Sequence, residues 1–207
     1  MMLETLLLMD VWLIVTFMGA AVLLYLTPGA DMMFTIASGL SGGPKAGAAA
    51  AAGISLGVLV HVMIAAAGLA ALLLSYPAAY DGIRYAGAAY LAYLAITSWR
   101  ASGPERRQGR SHLSRAFSRG FITNILNPKV ALFVLAFLPQ FTDPAIGPVW
   151  QQILWLGVFL ALGGVVTDGL IGIFAGLAAG RMARATRAMS KISSLVFAGL
   201  AARIIID

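Results

Sequence analysis

The chain has 207 residues, of which 60% are hydrophobic and only 22 are charged, 14 basic and eight acidic. A soluble domain carries roughly 45–50% apolar and about 25% charged residues. This composition therefore excludes an ordinary soluble globule, and its continuous apolar stretches exclude the alternating pattern of a membrane β-barrel. Cysteine is absent, which rules out disulfides, thiolate metal sites, iron–sulfur clusters and thiol relays.

A membrane helix needs about 20 apolar residues. The roughly 60% apolar share fills six spans and leaves no separate soluble domain, so residues 1–207 read as one transmembrane domain of all-α class. The opening Met1-Met2-Leu3-Glu4 has no basic n-region and reads as part of a mature span rather than a secretory leader. Span one is predicted from Leu6 to Leu26, broken by Thr27-Pro28-Gly29 and resuming from Ala30 to Leu40. Span two covers Ala46 to Leu74 and ends at Tyr76-Pro77. Span three covers Ile83 to Trp99, and a charged loop follows from Arg100 to Arg119. Span four begins at Phe121, contains Asn127-Pro128-Lys129 and ends at Pro139. Span five covers Trp150 to Ala179, a basic loop runs from Arg181 to Lys191, and a short last span covers Ile192 to Ile206. Trp12, Trp99 and Trp150 fall near span ends, where indole rings favour the headgroup layer.

The loops after spans one, three and five hold eleven Lys and Arg residues; the opposite side holds only Arg84 and Arg203. The positive-inside rule puts those three loops in the cytoplasm and both termini outside. The net charge of +6 thus reports loop placement, and the arginines of the 100–119 stretch fix topology or touch anionic lipid. Nothing in the chain interleaves aromatic and basic residues as a nucleic-acid face does.

The two interruptions, Thr27-Pro28-Gly29 and Asn127-Pro128-Lys129, stand 100 residues apart. Each breaks the first span of a three-span set, and each is followed by a long Gly-rich span with one intramembrane polar residue, His61 or Asp168. An odd number of spans per half forces opposite orientations. The pattern predicts two inverted repeats, about 5–100 and 120–207, with broken helices 1 and 4, the signature of a secondary transporter. Two isolated proline kinks healed by neighbouring helices are the plainer reading of either break alone.

Proline lacks an amide hydrogen and disfavours helix in the residue before it. Thr and Asn are good N-caps, and Pro suits the first helical position. Thr27-Pro28 and Asn127-Pro128 therefore each predict a half-helix starting inside the bilayer. Its free amides suit a carboxylate, and the carbonyls of the preceding half suit a cation or ammonium. Asp31, one turn into the second half of span one, is a candidate ammonium ligand or proton carrier. Lys129 pairs with Asp31 or Asp168, attracts a substrate carboxylate, or snorkels to the surface. Asp168 lies deep in span five, where a charged carboxylate costs on the order of 2.5–3.5 kcal/mol by insertion scales. It must be paired or protonated, which is what a proton-coupling group requires; a structural partner for Lys129 is the alternative. His61 either relays protons or hydrogen-bonds between helices. Gly53 and Gly57, and Gly172, Gly176 and Gly180, are close-packing ridges that serve one subunit or a homodimer.

No zinc-protease motif, nucleophile elbow or phosphate-binding loop is present, so neither enzyme activity nor a cofactor is expected. With two histidines a soft-metal site is not expected either.

The runs Thr27-Pro28-Gly29-Ala30-Asp31-Met32, Gly53-Ile54-Ser55-Leu56-Gly57 with His61, Asn127-Pro128-Lys129-Val130-Ala131 and Phe137-Leu138-Pro139-Gln140-Phe141 resemble the lysine exporter/homoserine–threonine efflux (LysE/RhtB) family of bacterial inner-membrane transporters. The family pattern commonly has a second proline after the glycine; Ala30 stands there in this chain. The resemblance implies export of an amino acid or derivative coupled to the proton gradient, without naming the solute. The expected site joins Thr27, Pro28, Gly29, Asp31, Asn127, Pro128 and Lys129, with Asp168 and His61 in proton coupling. A divalent-cation exporter using Asp31 and Asp168, and a non-transporting membrane scaffold, are the other readings.

Overall fold

The computed structural model describes residues 2–68 and 110–181, with single positions between 85 and 96 and between 191 and 202. Predicted spans three and six, the first half of the 100–119 loop and most of the 181–191 loop lie outside the continuously described residues. Those described are helical: α1 (Met2–Leu8), α2 (Val11–Leu26), α3 (Ala30–Gly42), α4 (Pro44–Ala66), α5 (Arg110–Ile125), α6 (Pro128–Leu132) and α7 (Val149–Arg181). Two of these, α4 and α7, are long and apolar enough to cross a membrane, and there are four such spans among the described residues if each of two bent pairs counts as one.

Span one is not continuous from Leu6 to Leu26. The chain bends by 90° between α1 and α2. Asp10 causes the break: its carboxylate accepts from the Trp12 amide at 2.9 Å and caps a new helix start. The short α1 is held to α7 by Thr5, whose hydroxyl donates to Gln151 Oε1 at 2.6 Å, and by the Trp155 indole, which donates to the Met2 carbonyl at 2.9 Å.

The predicted break at residues 27–29 is present, and α3 follows it. The turn from α3 into α4 rests on Gly43 at φ +81°, a left-handed conformation suited to glycine, with Pro44 at the first position of α4. The stretch predicted as loop up to Arg119 is helical from Arg110, earlier than the expected start at Phe121. Ala116 is buried there, and Ser114 and Ser118 do not break the helix because Ser118 Oγ donates back to the Ser114 carbonyl at 2.9 Å. The polar composition concealed a helix with one packed face.

After the break at Asn127, α6 continues as a π-helical stretch, Phe133–Phe137, and a 3₁₀ turn, Leu138–Phe141. Pro139 has no amide to donate to the preceding turn, and Leu138 bonds instead to the Phe133 carbonyl five residues back. The widened turns bring Phe133 and Phe141 against Phe17 of α2 at ring separations of 6.0 and 5.4 Å.

Helix α4 packs against both α5 and α7, and α3 lies against α4 and α7. One hydrophobic cluster joins Phe17, Val62, Val134, Leu138, Leu156 and Leu160. Leu7, Trp12, Leu23, Leu162, Val166 and Phe174 are exposed, as lipid-facing side chains are. Gly53, Gly57, Gly172 and Gly176 of the predicted ridges make contacts within the chain. A Cβ on Gly53 would strike the Phe117 carbonyl of α5, one on Gly57 would lie 2.5 Å from Asn124 Oδ1, and one on Gly172 would lie 2.8 Å from Gly47 Cα.

Candidate functional site

Both proline breaks begin as backbone problems. The last carbonyls of α2 have no intrahelical partner, and water is absent at bilayer depth. Thr27 solves part of this locally: it ends α2 in extended conformation, as a residue before proline must, and its hydroxyl donates to the Leu23 carbonyl at 2.6 Å. Lys129, from the other break, solves the rest. Its Nζ donates to the Leu24 carbonyl at 3.1 Å and the Thr27 carbonyl at 2.9 Å. The carbonyl end of the first half-helix binds an ammonium, as its chemistry predicts, and that ammonium belongs to the protein.

Two expectations for the first break are corrected here. Thr27 is the C-cap of α2, not the N-cap of α3, and Pro28 is not the first residue of α3. Gly29 stands before Ala30 with no side-chain cap. A Cβ on Gly29 would sit 3.0 Å from Lys129 Nζ and press on the lysine head. Thr27 and Pro28 are exposed, whereas Gly29 is buried.

The second break follows the predicted pattern. Asn127 caps α6, its Oδ1 accepting from the Lys129 amide at 3.1 Å, and Pro128 opens the helix. Asn127 is buried.

Asp31 is buried in the first turn of α3. Asn124 of α5, fully buried, donates from Nδ2 to Asp31 Oδ2 at 2.8 Å. The Asn127 amide lies beside the same carboxyl, and the Lys129 charge acts on it. Asp168 of α7 is buried as well. Its charge acts on Asp31, on Lys129 and on Tyr25, whose hydroxyl donates to the Leu160 carbonyl. The structure thus brings Asp31, Asn127, Lys129 and Asp168 into one polar cluster, against a background of apolar helices.

His61 joins through Asn124. Its Nε2 lies 3.2 Å from the Asn124 carbonyl. A carbonyl only accepts, so Nε2 carries the proton, and His61 bonds α4 to α5. Asn124 and Tyr25 were missed at the level of sequence. Asn124 stands three residues before Asn127, one helical turn, and that spacing was the available signal. Tyr25 stands one turn before Gly29 in an apolar run. Among the described residues, no three His, Asp or Glu side chains converge as a metal site would require.

Comparison with known proteins places this geometry in context. Residues 22–207 match the family model described as LysE type translocator. A Vibrio cholerae protein described as an uncharacterized membrane protein is 32% identical over 191 residues, covering 90% of this chain and 92% of its own. The homoserine/homoserine lactone efflux proteins of Salmonella typhi and Salmonella typhimurium are 35% and 34% identical over 142 residues, each covering 66% of this chain and 67% of the relative. No solved structure matches. A match over residues 22–207 shows that this membrane protein belongs to the LysE type translocators, a family of transporters rather than enzymes.

Proposed function

We propose that this chain exports an amino acid or a close derivative from the cytoplasm by proton antiport. The observation that carries the reading is the meeting of the two breaks. Lys129 of one break is bonded to the carbonyl end of the other, with the buried carboxylate of Asp31 beside it. Paired broken helices meeting at a polar centre are what alternating access between two repeats requires. The six-span arrangement with inverted halves and cytoplasmic loops after spans one, three and five belongs to the same proposal. So does placement in the bacterial inner membrane.

Asp168 is the coupling carboxylate in this scheme. Its charge interacts with Asp31 and Lys129 of the substrate site and with Tyr25. Proton binding at Asp168 and solute binding near Asp31 then influence one another through Lys129. His61 assists by holding the α5 backbone at Asn124. The substrate class follows the relatives named for efflux of homoserine and homoserine lactone.

The test is efflux from proteoliposomes preloaded with homoserine and the twenty amino acids, with and without an imposed pH gradient. Gradient-dependent loss of one or a few solutes is expected, and Asp168→Asn is expected to abolish the gradient dependence while the protein still folds. Retention of every solute, or unchanged gradient dependence in Asp168→Asn, would refute export or its coupling respectively. Metal-dependent thermal stabilisation in detergent would point instead to a divalent-cation exporter.

A further inference from the structure

Helix α1 turns by 90° from α2, and the Asp10 cap fixes that turn. One face of α1 is tied to the protein. Thr5 is buried and bonded to Gln151, the Trp155 indole donates to the Met2 carbonyl, and Met9 joins the hydrophobic core. The other face is uncovered. Leu3, Leu7 and Leu8, with Val11 and Trp12 just past the bend, are each more than 60% exposed. Leu3 and Leu7 stand four residues apart, on one side of the helix.

The level of this face shows what covers it. Helices α2 and α7 run in the same sense: α1, at the start of α2, is bonded to Gln151 and Trp155 near the start of α7, and Tyr25, near the end of α2, lies against Gly163 and Gly164. Trp12 precedes Tyr25 by 13 residues, and Trp150 precedes Gly164 by 14. At about 1.5 Å per residue each tryptophan is about 20 Å from that contact along its own helix. Both indoles are exposed. Two exposed tryptophans at one level mark the headgroup layer, and about 20 Å is half of a bilayer of about 40–45 Å including headgroups. Tyr25, and Asp168 one turn beyond Gly164, then lie near the midplane, where transporters with paired broken helices hold their solutes. A helix at right angles to a span, at tryptophan level, lies in the plane of the membrane. Its open face is also continuous, through Val11 and Trp12, with Val15, Val22 and Leu23 of α2, which are exposed where α2 crosses the hydrocarbon.

We infer that α1 is an in-plane helix docked on lipid at the membrane surface opposite the basic loops. Leu3, Leu7 and Leu8 enter the boundary between headgroups and acyl chains, while Thr5 and Met9 hold the helix to the body of the protein. The docking is apolar. Helix α1 carries Glu4 and no basic residue in its last turn, so it gains nothing from anionic lipid, unlike the basic interfacial helices that depend on it. Span one then begins at α2.

The chain has no cysteine, so one introduced cysteine carries the only label. Leu7→Cys and Leu3→Cys are each labelled with a fluorophore in the full-length protein in phosphatidylcholine vesicles. Quenchers are placed at the headgroup end of the acyl chain, at its tail end, or in water. Val22→Cys, ten residues beyond Trp12 on α2, is the deep reference. All three replaced side chains are exposed, and a cooperative melt in detergent checks that each variant folds. Both α1 labels are expected to lose most emission to the headgroup-end quencher, and the Val22→Cys label to the tail-end one. Adding phosphatidylglycerol is expected to leave the α1 quenching unchanged. Strongest quenching of the α1 labels from the tail end would make α1 part of a span, and strongest quenching from water would take it off the membrane. Shallow quenching that fades as protein is concentrated in the vesicles would assign the face to a second copy of the chain, and quenching that requires phosphatidylglycerol would make the docking electrostatic. Each of these results overturns the inference.

Discussion

Substituting alanine at two mid-helix glycines should move stability in opposite directions. On α7, a Cβ at Gly172 would lie 2.7 Å from Thr35 Cγ2 of α3 and 2.8 Å from Gly47 Cα of α4. One of those neighbours is backbone and cannot yield without moving a helix. Overpacking of this kind costs typically 1–3 kcal/mol. On α2, a Cβ at Gly19 meets nothing within 4 Å, and replacing an interior helical glycine by alanine gains about 0.5–1 kcal/mol. The same intrinsic gain applies at Gly172 and offsets part of its cost. Gly172→Ala should therefore be destabilised by about 0–2.5 kcal/mol and Gly19→Ala stabilised by about 0.5–1 kcal/mol. At about 2–4 °C per kcal/mol for a chain of this size, the two variants should melt on the order of 5 °C apart in matched detergent. A Gly172→Ala variant that melts at or above Gly19→Ala would refute the claim that this seam is in backbone contact.

Lys129→Met keeps much of the side-chain length and removes both bonds to α2. The loss should be about 1–3 kcal/mol, between values typical of membrane-buried hydrogen bonds and of charge-assisted ones, and a wild-type melting temperature would show that the bonds contribute nothing. Gly29→Ala should act only by displacing Lys129, because Gly29 is extended at φ −163° and carries no strain. Its effect should therefore vanish in the Lys129→Met background, and additive losses in that double-mutant cycle would contradict the assignment. Asp10→Ala should lower the melting temperature by the equivalent of about 1 kcal/mol through loss of the α2 cap, with no effect counting against Asp10 as the cause of the bend.

The breaks were legible because proline acts locally: it removes one donor and restricts one neighbour wherever it stands. Asn127-Pro128 obeyed those rules as a cap followed by a first helical residue. Thr27-Pro28 obeyed only the restriction, and its hydroxyl turned back to Leu23 because the glycine behind it delayed the helix start. Asp10 was overlooked as a cap because a single aspartate in an apolar run looks like a tolerated charge. Arg110–Arg119 looked like loop because charge outweighed the spacing of Leu113, Ala116 and Phe117. The partners of Lys129 were beyond local reasoning. Its ammonium found carbonyls rather than a carboxylate because half-helix ends in different halves of the chain come to one point, and only tertiary structure supplies that.

The packing seam and the polar cluster also share a register. Tyr25 lies against Gly164, Gly39 against Gly172, and Gly43 with Pro44 against Gly176, so α3 and α7 run side by side in the same direction. On α7, Gly164, Asp168, Gly172 and Gly176 follow at four-residue intervals, and Asp31, Thr35 and Gly39 do so on α3. Residues at that spacing share a helix face. Asp31 and Asp168 are thus carried on the two faces that the glycines press together, one turn or two from the closest contact. Small residues let the backbones approach, and that approach sets how strongly two buried carboxylates act on each other, which falls with their separation. A substitution that widens the seam therefore changes the site as well as the stability. The glycine ridge, which reads in sequence as packing alone, is part of the apparatus that positions the two acids.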